Sequence, residues 1–316
     1  MIESRGEIFQ SAFFFKGKRK WFLDLTAEIG TTYLCCYPVE KMTEKVLGTR
    51  VMKVKFFEGM HGRMSYVLQK GESGRPLLVF MAGFGTTNNY LELKNIARRI
   101  DSTFSKLFID RLGVARSDET SAPRTWQNIV AELHELIRTL HEGPILFFAH
   151  SANGPISLAY ALSYPDQVTG LILNEPTTVK AAEFFTTSSY QKANEWLAEM
   201  TSEERYEATK DQELTPQEEQ LLEASERAFS EGTTIFSEYL ASEQNLKEIS
   251  AIAKATTSLP PILLFAQPFR EQEYRDSEYA GEKTKLCLIK GHHALYLAQP
   301  DSVATAINDW LKSRPI

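Results

Sequence analysis

The sequence predicts an α/β protein whose mostly parallel sheet is interrupted by a helical insertion. Nearly continuous apolar runs recur along the chain, as expected of strands buried on both faces, and helix-forming stretches separate them. Strands that alternate with helices in this way form a parallel sheet with right-handed crossovers. The alternation stops after residue 175 and resumes near residue 259, and the stretch between is helix-forming and rich in Glu, Ala and Lys. We therefore expect a helical cap between two strands of a core sheet.

The composition is that of an ordinary globular protein. With 316 residues, 43% of them hydrophobic, the chain is at the upper end of what one core supports, so we expect one core domain with a sizeable insertion. The formal net charge of −6 gives no support for binding to nucleic acid or to an anionic membrane. The three cysteines have no paired spacing, which favours a reducing compartment and argues against a metal site.

The N-terminal segment shows no secretory or membrane-spanning pattern. Its short phenylalanine run is followed at once by basic residues, so it contains neither an uninterrupted apolar h-region nor a clear membrane span. We expect a cytoplasmic protein. Oligomeric state stays open at this point.

Three parts make up the predicted domain organisation. Residues 1–50 have apolar and aromatic residues at roughly helical spacing and are predicted to form an N-terminal helical extension without chemistry of its own. The core comprises residues 51–175 and 259–316. The helical cap comprises residues 176–258, where no strand-like run is found.

The core is expected to open with a β-hairpin around residues 59–62, because alternating apolar residues flank a glycine-bounded turn there. The elements predicted after it are strand 76–82, helix 90–100, strand 106–110, helix 126–141, strand 144–149, helix 156–164 and strand 168–175. After the cap, the predicted elements are strands 261–266 and 284–290 and helix 300–312.

A possible nucleophile lies where the strand at residues 144–149 ends. The strand turns sharply into a helix through His150-Ser151-Ala152-Asn153-Gly154, and a serine on such a turn is typical of a nucleophile elbow. The helix N-terminus would also offer unpaired N–H groups to an oxyanion. A serine N-cap at an ordinary junction is the alternative. In the usual Gly-x-Ser-x-Gly pattern, Ala149 and Asn153 replace the glycines, and asparagine tolerates unusual backbone angles, so the turn is feasible.

Four landmarks in this order resemble those of the α/β-hydrolase superfamily over roughly residues 51–312. Gly83-Phe84-Gly85 follows the third strand, where that family has its oxyanion-hole loop, and Ser151 follows the fifth strand. Residues 110–117 resemble the family's Asp-x-x-Gly-x-Gly-x-Ser turn, with alanine for the second glycine. Residues 291–301 resemble its Gly-His…Gln-Pro-Glu segment. The resemblance implies a serine hydrolase with a catalytic triad.

The base of such a triad is predicted to be His293. A serine hydroxyl is a poor nucleophile and needs a base within hydrogen-bond reach. Of the six histidines, His292 and His293 lie in the family-like segment after the last strand, and the family usually has a proline seven residues after its base. Pro300 therefore selects His293, with a buried structural pair as the alternative.

The acid is less obvious, because Phe269 occupies the position after the seventh strand where most relatives have an aspartate. Glu175, however, ends the sixth strand, and some haloalkane dehalogenases use a glutamate at that place. Their nucleophile is an aspartate, so dehalogenation is not implied. We predict that Glu175 orients the imidazole, with Glu271 or Glu273 as alternatives and a structural carboxylate as the non-catalytic interpretation.

The sequence thus predicts hydrolysis of a carboxylic ester, thioester or related acyl bond through an acyl-enzyme. The resemblance implies oxyanion donors at the backbone N–H groups of Phe84 and Ala152, and no metal or organic cofactor. Aromatic residues in the cap suggest a small-molecule acyl substrate with an apolar portion. A non-catalytic ligand-binding protein of the same fold stays possible, as does an acyltransferase or a carbon–carbon bond hydrolase on the same triad.

Overall fold

A computed structural model describes residues 53–182 and 214–314. Eight strands form one sheet in the order β1-β2-β4-β3-β5-β6-β7-β8. The strands are β1 (Val54–Gly59), β2 (Gly62–Gln69), β3 (Leu77–Met81), β4 (Ser105–Asp110), β5 (Ile145–His150), β6 (Val168–Asn174), β7 (Ile262–Ala266) and β8 (Thr284–Leu288). Strands β3 to β8 run parallel, whereas β1 and β2 are antiparallel at one edge. The predicted fold class is confirmed.

Helices cover both faces of this sheet. The helices of the described residues are α1 (Asn89–Arg99), α2 (Trp126–Leu140), α3 (Asn153–Ser163), α4 (Val179–Ala182), α5 (Pro216–Glu231), α6 (Thr234–Ala255), α7 (Glu271–Arg275), α8 (Leu295–Ala298) and α9 (Pro300–Lys312). Apolar side chains of α2 and α3 pack on one face of the sheet, and those of α1 and α9 pack on the other. Because both faces are covered, β3, β5 and β7 are buried along their whole length, which explains their continuous apolar runs.

The local pattern predicted most elements to within a few residues. The hairpin is confirmed, since Gly59 lies opposite Gly62 in the β1–β2 register. Helices α7 and α8, and the 3₁₀ turn Pro268–Arg270 before α7, were not predicted. They have three to five residues each, too few to show a helical period.

The predicted extension at residues 1–50 lies outside the described residues, as does the part of the cap at residues 183–213. The described part of the predicted cap contains α4, α5 and α6, and α6 packs against both α3 and α4. The domain boundaries stay predictions. Within the part of the chain that the structure describes, no helix is long and apolar enough to cross a bilayer.

Parallel strands bring several chain segments to one edge of the sheet. The residues that follow β3, β5, β6, β7 and β8 all emerge at the carboxyl edge, which is where open α/β sheets bind their ligands. The candidate site residues predicted above follow β3, β5, β6 and β8, so the fold gathers them at this edge.

Candidate active site

Ser151 has a backbone conformation that L residues seldom adopt. Its φ angle is 50°, in the left-handed region, which costs a non-glycine residue about 1–2 kcal/mol. Its N–H donates to the Asn174 carbonyl (3.2 Å), and its own carbonyl accepts from Thr177 N–H (3.0 Å) and Gly154 N–H (2.9 Å). These bonds hold the hydroxyl out on a sharp turn. The unusual angle belongs to Ser151 and not to Asn153, which is the first residue of α3.

Asn153 acts through its buried side chain, which donates a hydrogen bond from Nδ2 to the Ala82 carbonyl. The Ala82 N–H donates to Asn89 Oδ1 (2.5 Å), and the Asn89 N–H donates to Asp110 Oδ1 (2.9 Å). Burial raises the pKa of Asp110 to about 6, although these hydrogen bonds lower it. The chain of contacts ties the elbow to the start of the Gly83-Phe84-Gly85 loop. In the sequence, the only signal for this chain of hydrogen bonds was asparagine in place of the usual glycine at position 153.

The structure brings His293, and not His292, to the serine. His293 Nε2 lies 2.9 Å from Ser151 Oγ, and the imidazole is buried. His292 is exposed, and its Nδ1 accepts a hydrogen bond from the Ala294 N–H (3.3 Å). A serine hydroxyl and an imidazole nitrogen at this separation can transfer a proton directly.

His150 forms a hydrogen bond to the backbone of His293, a role that the sequence did not reveal. Its Nε2 donates to the backbone carbonyl of His293 across 3.3 Å, and the two rings lie 4.7 Å apart. Burial lowers the pKa of His150 well below its usual value, and the nearby His293 adds to this. His150 is therefore uncharged near neutral pH, with its single N–H directed at that carbonyl.

Glu175 is fully buried beside the imidazole and also has a left-handed backbone, with φ 46°. Its Oε2 lies 3.6 Å from His293 Nδ1, within ion-pair range but longer than a hydrogen bond. The other oxygen, Oε1, accepts from the Gln267 N–H (2.6 Å), and Oε2 also accepts from the Arg270 guanidinium. Burial raises the pKa of Glu175, but Arg270, His293 and the Gln267 N–H together outweigh burial and hold the pKa below its ordinary value.

The two alternative acids do not contact the imidazole. Glu271 forms a surface ion pair with Arg275 (2.7 Å). Glu273 bonds Arg270 and accepts from the Thr178 hydroxyl (2.6 Å). Phe269, at the position where an aspartate was expected, is exposed to solvent. Of the carboxylates considered from the sequence, the structure brings only Glu175 to His293.

The loop after β3 passes tightly against the serine. A Cβ atom added to Gly83 would lie 2.9 Å from Ser151 Cβ and 3.0 Å from His150 Nδ1. Within the described residues, the N–H groups of Phe84 and Ala152 donate no hydrogen bond. Both N–H groups are therefore available to a negatively charged oxygen.

A small apolar pocket adjoins these groups and lies between the core and α6. Its lining includes Phe84, Ala152 and, from α6, Leu246 and Ile249. Two buried polar side chains in its wall, Glu238 and Asn245, are already paired. Glu238 binds Arg111 (2.5 Å) and Arg124 (3.4 Å), and Asn245 bonds the Trp126 N–H and the Arg124 carbonyl (both 2.9 Å). What the pocket offers a ligand is therefore mainly apolar contact. Among the described residues, no group of three or more His, Cys, Asp or Glu side chains could hold a metal ion.

The chain is similar to two curated proteins over part of their lengths. The uncharacterized protein YqjL of Bacillus subtilis (strain 168) is 31% identical over 117 residues, 37% of this chain and 45% of YqjL. The 2-(acetamidomethylene)succinate hydrolase of Mesorhizobium japonicum is 27% identical over 111 residues, 35% of this chain and 39% of that hydrolase. The chain thus spans less than half the length of either relative.

Similarity in structure extends much further along the chain. The haloalkane dehalogenase DbeA of Bradyrhizobium elkani matches with a TM-score of 0.61 over 83% of this chain and 98% of that chain, at 16% identity, which shows the fold alone. A family model described as the alpha/beta hydrolase fold matches residues 75–221.

These findings agree with the geometry of the sheet edge. An eight-stranded sheet in this order, with a strained elbow after β5, defines a hydrolase-fold protein. The chain has the α/β-hydrolase fold.

Proposed function

We propose that the protein is a serine hydrolase that cleaves a carboxylic ester, thioester or related acyl bond through an acyl-enzyme. The observation that carries the proposal is the 2.9 Å contact between Ser151 Oγ and His293 Nε2 on an elbow whose serine has φ 50°. A strained backbone persists where the surrounding structure holds it, often at functional sites. An ordinary N-cap serine would need neither the left-handed angle nor a buried imidazole at its hydroxyl.

Acyl transfer at this site needs two proton transfers through one imidazole. Ser151 Oγ attacks the carbonyl carbon while its proton passes to His293 Nε2, and the carbonyl oxygen becomes an oxyanion. The N–H groups of Phe84 and Ala152 stabilise that charge. The imidazolium then returns the proton to the leaving group as its bond to carbon breaks. Water then attacks the acyl-enzyme in the same way, with His293 again transferring the proton. The acid product is released and the Ser151 hydroxyl is regenerated.

Glu175 acts on the tautomer of His293 and on its charge. A proton on Nδ1 faces the carboxylate, so Nε2 keeps the lone pair that accepts the serine proton. The negative charge then stabilises the imidazolium. The 3.6 Å separation is long, but catalytic hydrogen bonds often tighten only when substrate is bound.

The apolar pocket beside Phe84 and Ala152 supports an acyl group or leaving group with an apolar portion. The similarity to a hydrolase named for a succinate derivative supports hydrolysis as the reaction class, and the proposal takes no substrate from it.

Gly83→Ala is expected to lower kcat/KM by about tenfold to a hundredfold, because the new methyl group would push the oxyanion loop away from Ser151. The loss should fall on kcat more than on KM, since the misplaced donors act in the transition state. Gly281→Ala is the control, because its Cβ would meet only ordinary contacts, the nearest 3.4 Å away. An unchanged kcat in Gly83→Ala would contradict the assignment of this loop.

Labelling with a fluorophosphonate probe tests the proposed function. The parent protein should be labelled at Ser151 and the Ser151→Ala variant should not, because the probe reacts with an activated serine. The same experiment separates an enzyme from a ligand-binding protein of this fold. If the parent stays unlabelled while a control esterase reacts, the serine-hydrolase proposal fails.

A further inference from the structure

The Glu175 carboxylate is shared between the Arg270 guanidinium and the His293 imidazole. Glu175 Oε2 accepts from the Arg270 guanidinium and lies 3.6 Å from His293 Nδ1. Arg270 is 4% exposed and Glu175 is 0% exposed, so this is a buried ion pair. A buried charge without a partner is costly, and a carboxylate in that state takes up a proton instead. The imidazole alone cannot prevent this, because it must be uncharged when it accepts the serine proton.

Contacts that do not involve Glu175 fix the position of Arg270. The guanidinium lies over the Tyr274 ring, 4.6 Å from its centroid. It also binds Glu273 through two contacts, from Nη2 to Oε1 (2.5 Å) and from Nε to Oε2 (3.0 Å). Glu273 in turn accepts from the Thr178 hydroxyl. Because Tyr274 and Glu273 hold one side of the planar guanidinium, Nη1 is directed at Glu175 in a fixed orientation.

The charged groups around the imidazole sum to zero only when His293 carries a second proton. Arg270 lies between the carboxylates of Glu175 and Glu273, so these three groups together carry one negative charge when both acids are ionised. Two further titratable groups adjoin them: His150, which is neutral, and Tyr274, whose pKa burial raises well above its usual value. Glu278, near Tyr274, accepts from the Val179 N–H, and burial raises its pKa. A proton on His293 therefore neutralises the cluster that Arg270 organises.

We propose that Arg270 is a positioning residue, whose guanidinium keeps the Glu175 carboxylate ionised and directed at His293 Nδ1. The proposal rests on the proposed function, because it assigns Arg270 to the same triad. It also explains how this chain functions with Phe269 in place of an acid after β7. The turn that lacks the acid supplies, one residue later, the cation that holds an acid from the end of β6.

The pH–rate profile of Arg270→Met tests this role. Without the guanidinium, the pKa of Glu175 should rise, because only His293 and the Gln267 N–H then oppose the effect of burial, and the imidazolium loses a repelling charge. Both changes favour protonation of Glu175 and His293, so the acid limb of kcat/KM should move to higher pH by about one unit. At pH values below the limb, kcat/KM of the variant should then be about tenfold lower than that of the parent. Arg270→Lys keeps the charge and should restore most of the shift. Arg275→Met, which removes a surface guanidinium paired with Glu271, is the matched control and should leave the limb in place.

A merely structural Arg270 would give a different result. Arg270→Met would then lower the rate by the same factor at every pH, with the limb unmoved, and that result overturns the proposal. Melting temperatures provide a readout without turnover. The deficit of Arg270→Met relative to the parent should shrink as pH falls, because a protonated Glu175 no longer needs a cation. In a Glu175→Gln background the deficit should shrink at all pH values.

The two proposals fail in distinguishable ways. An unlabelled parent in the fluorophosphonate experiment counts against serine hydrolysis. The melting temperatures of Arg270→Met in the parent and in the Glu175→Gln background would still decide whether Arg270 stabilises the ionised Glu175. If the parent is labelled, the effects of the two substitutions on melting temperature are additive and the acid limb does not shift, the role of Arg270 alone is overturned.

Discussion

Replacing Ser151 by alanine is expected to lower kcat on p-nitrophenyl esters by about 10⁵–10⁶-fold, because the acyl-enzyme can no longer form. The backbone should be unaffected, since alanine and serine have similar strain at φ 50° and the turn is held by backbone hydrogen bonds. The melting temperature should therefore stay close to that of the parent. Steady-state kinetics on esters of graded chain length measures the loss and reports which acyl length the apolar pocket prefers.

Ser163→Ala is the matched control for this substitution. Ser163 lies at the end of the same helix, α3, and among the described residues its hydroxyl bonds only the Ala159 carbonyl of that helix. Activity in this control should stay within about twofold of the parent, as for a substitution away from the site. A Ser151→Ala enzyme that kept a tenth of the parent activity would mean that another group is the nucleophile.

Glu175→Gln should lower kcat by about 10³–10⁴-fold, because an amide neither fixes the productive tautomer of His293 nor stabilises the imidazolium. The reciprocal control is Glu271→Gln, which removes a surface carboxylate paired with Arg275 and should leave kcat nearly unchanged. A large loss of kcat in Glu271→Gln with little effect in Glu175→Gln would mean that the triad acid lies on α7 and not at the end of β6.

The same substitution has a signature in stability. The pKa of Glu175 in the folded protein lies below its ordinary value of 4.5, so the ionised carboxylate stabilises the fold above that pH. This contribution is lost as pH falls from the ordinary value through the lowered one. The stability advantage of the parent over Glu175→Gln should therefore be constant near neutral pH and shrink in acid, which thermal melts across that range measure.

Much of the fold could be read from local patterns. Continuous apolar runs predicted β3, β5 and β7, because a strand covered on both faces has no polar side to show. The 3.6-residue period predicted α2, whose buried residues line one stripe. The short helices α7 and α8 escaped prediction because four or five residues do not complete a detectable period.

The sequence by itself determined which chain segments meet at the site. The order of strands and turns placed Ser151, Glu175 and His293 each after a strand of one parallel sheet, and the carboxyl ends of such strands lie at one edge. The tertiary structure alone decided how these residues are held. The left-handed angle at Ser151, the bond from Asn153 to Ala82 and the pairing of Arg270 with Glu175 all appear only there.

The physical reason is the range of the interactions. Periodicity is a property of neighbouring residues, so it survives in the one-dimensional sequence. A buried hydrogen bond or ion pair depends on the direction of two side chains that are far apart in the chain, and only packing of the folded protein sets that direction.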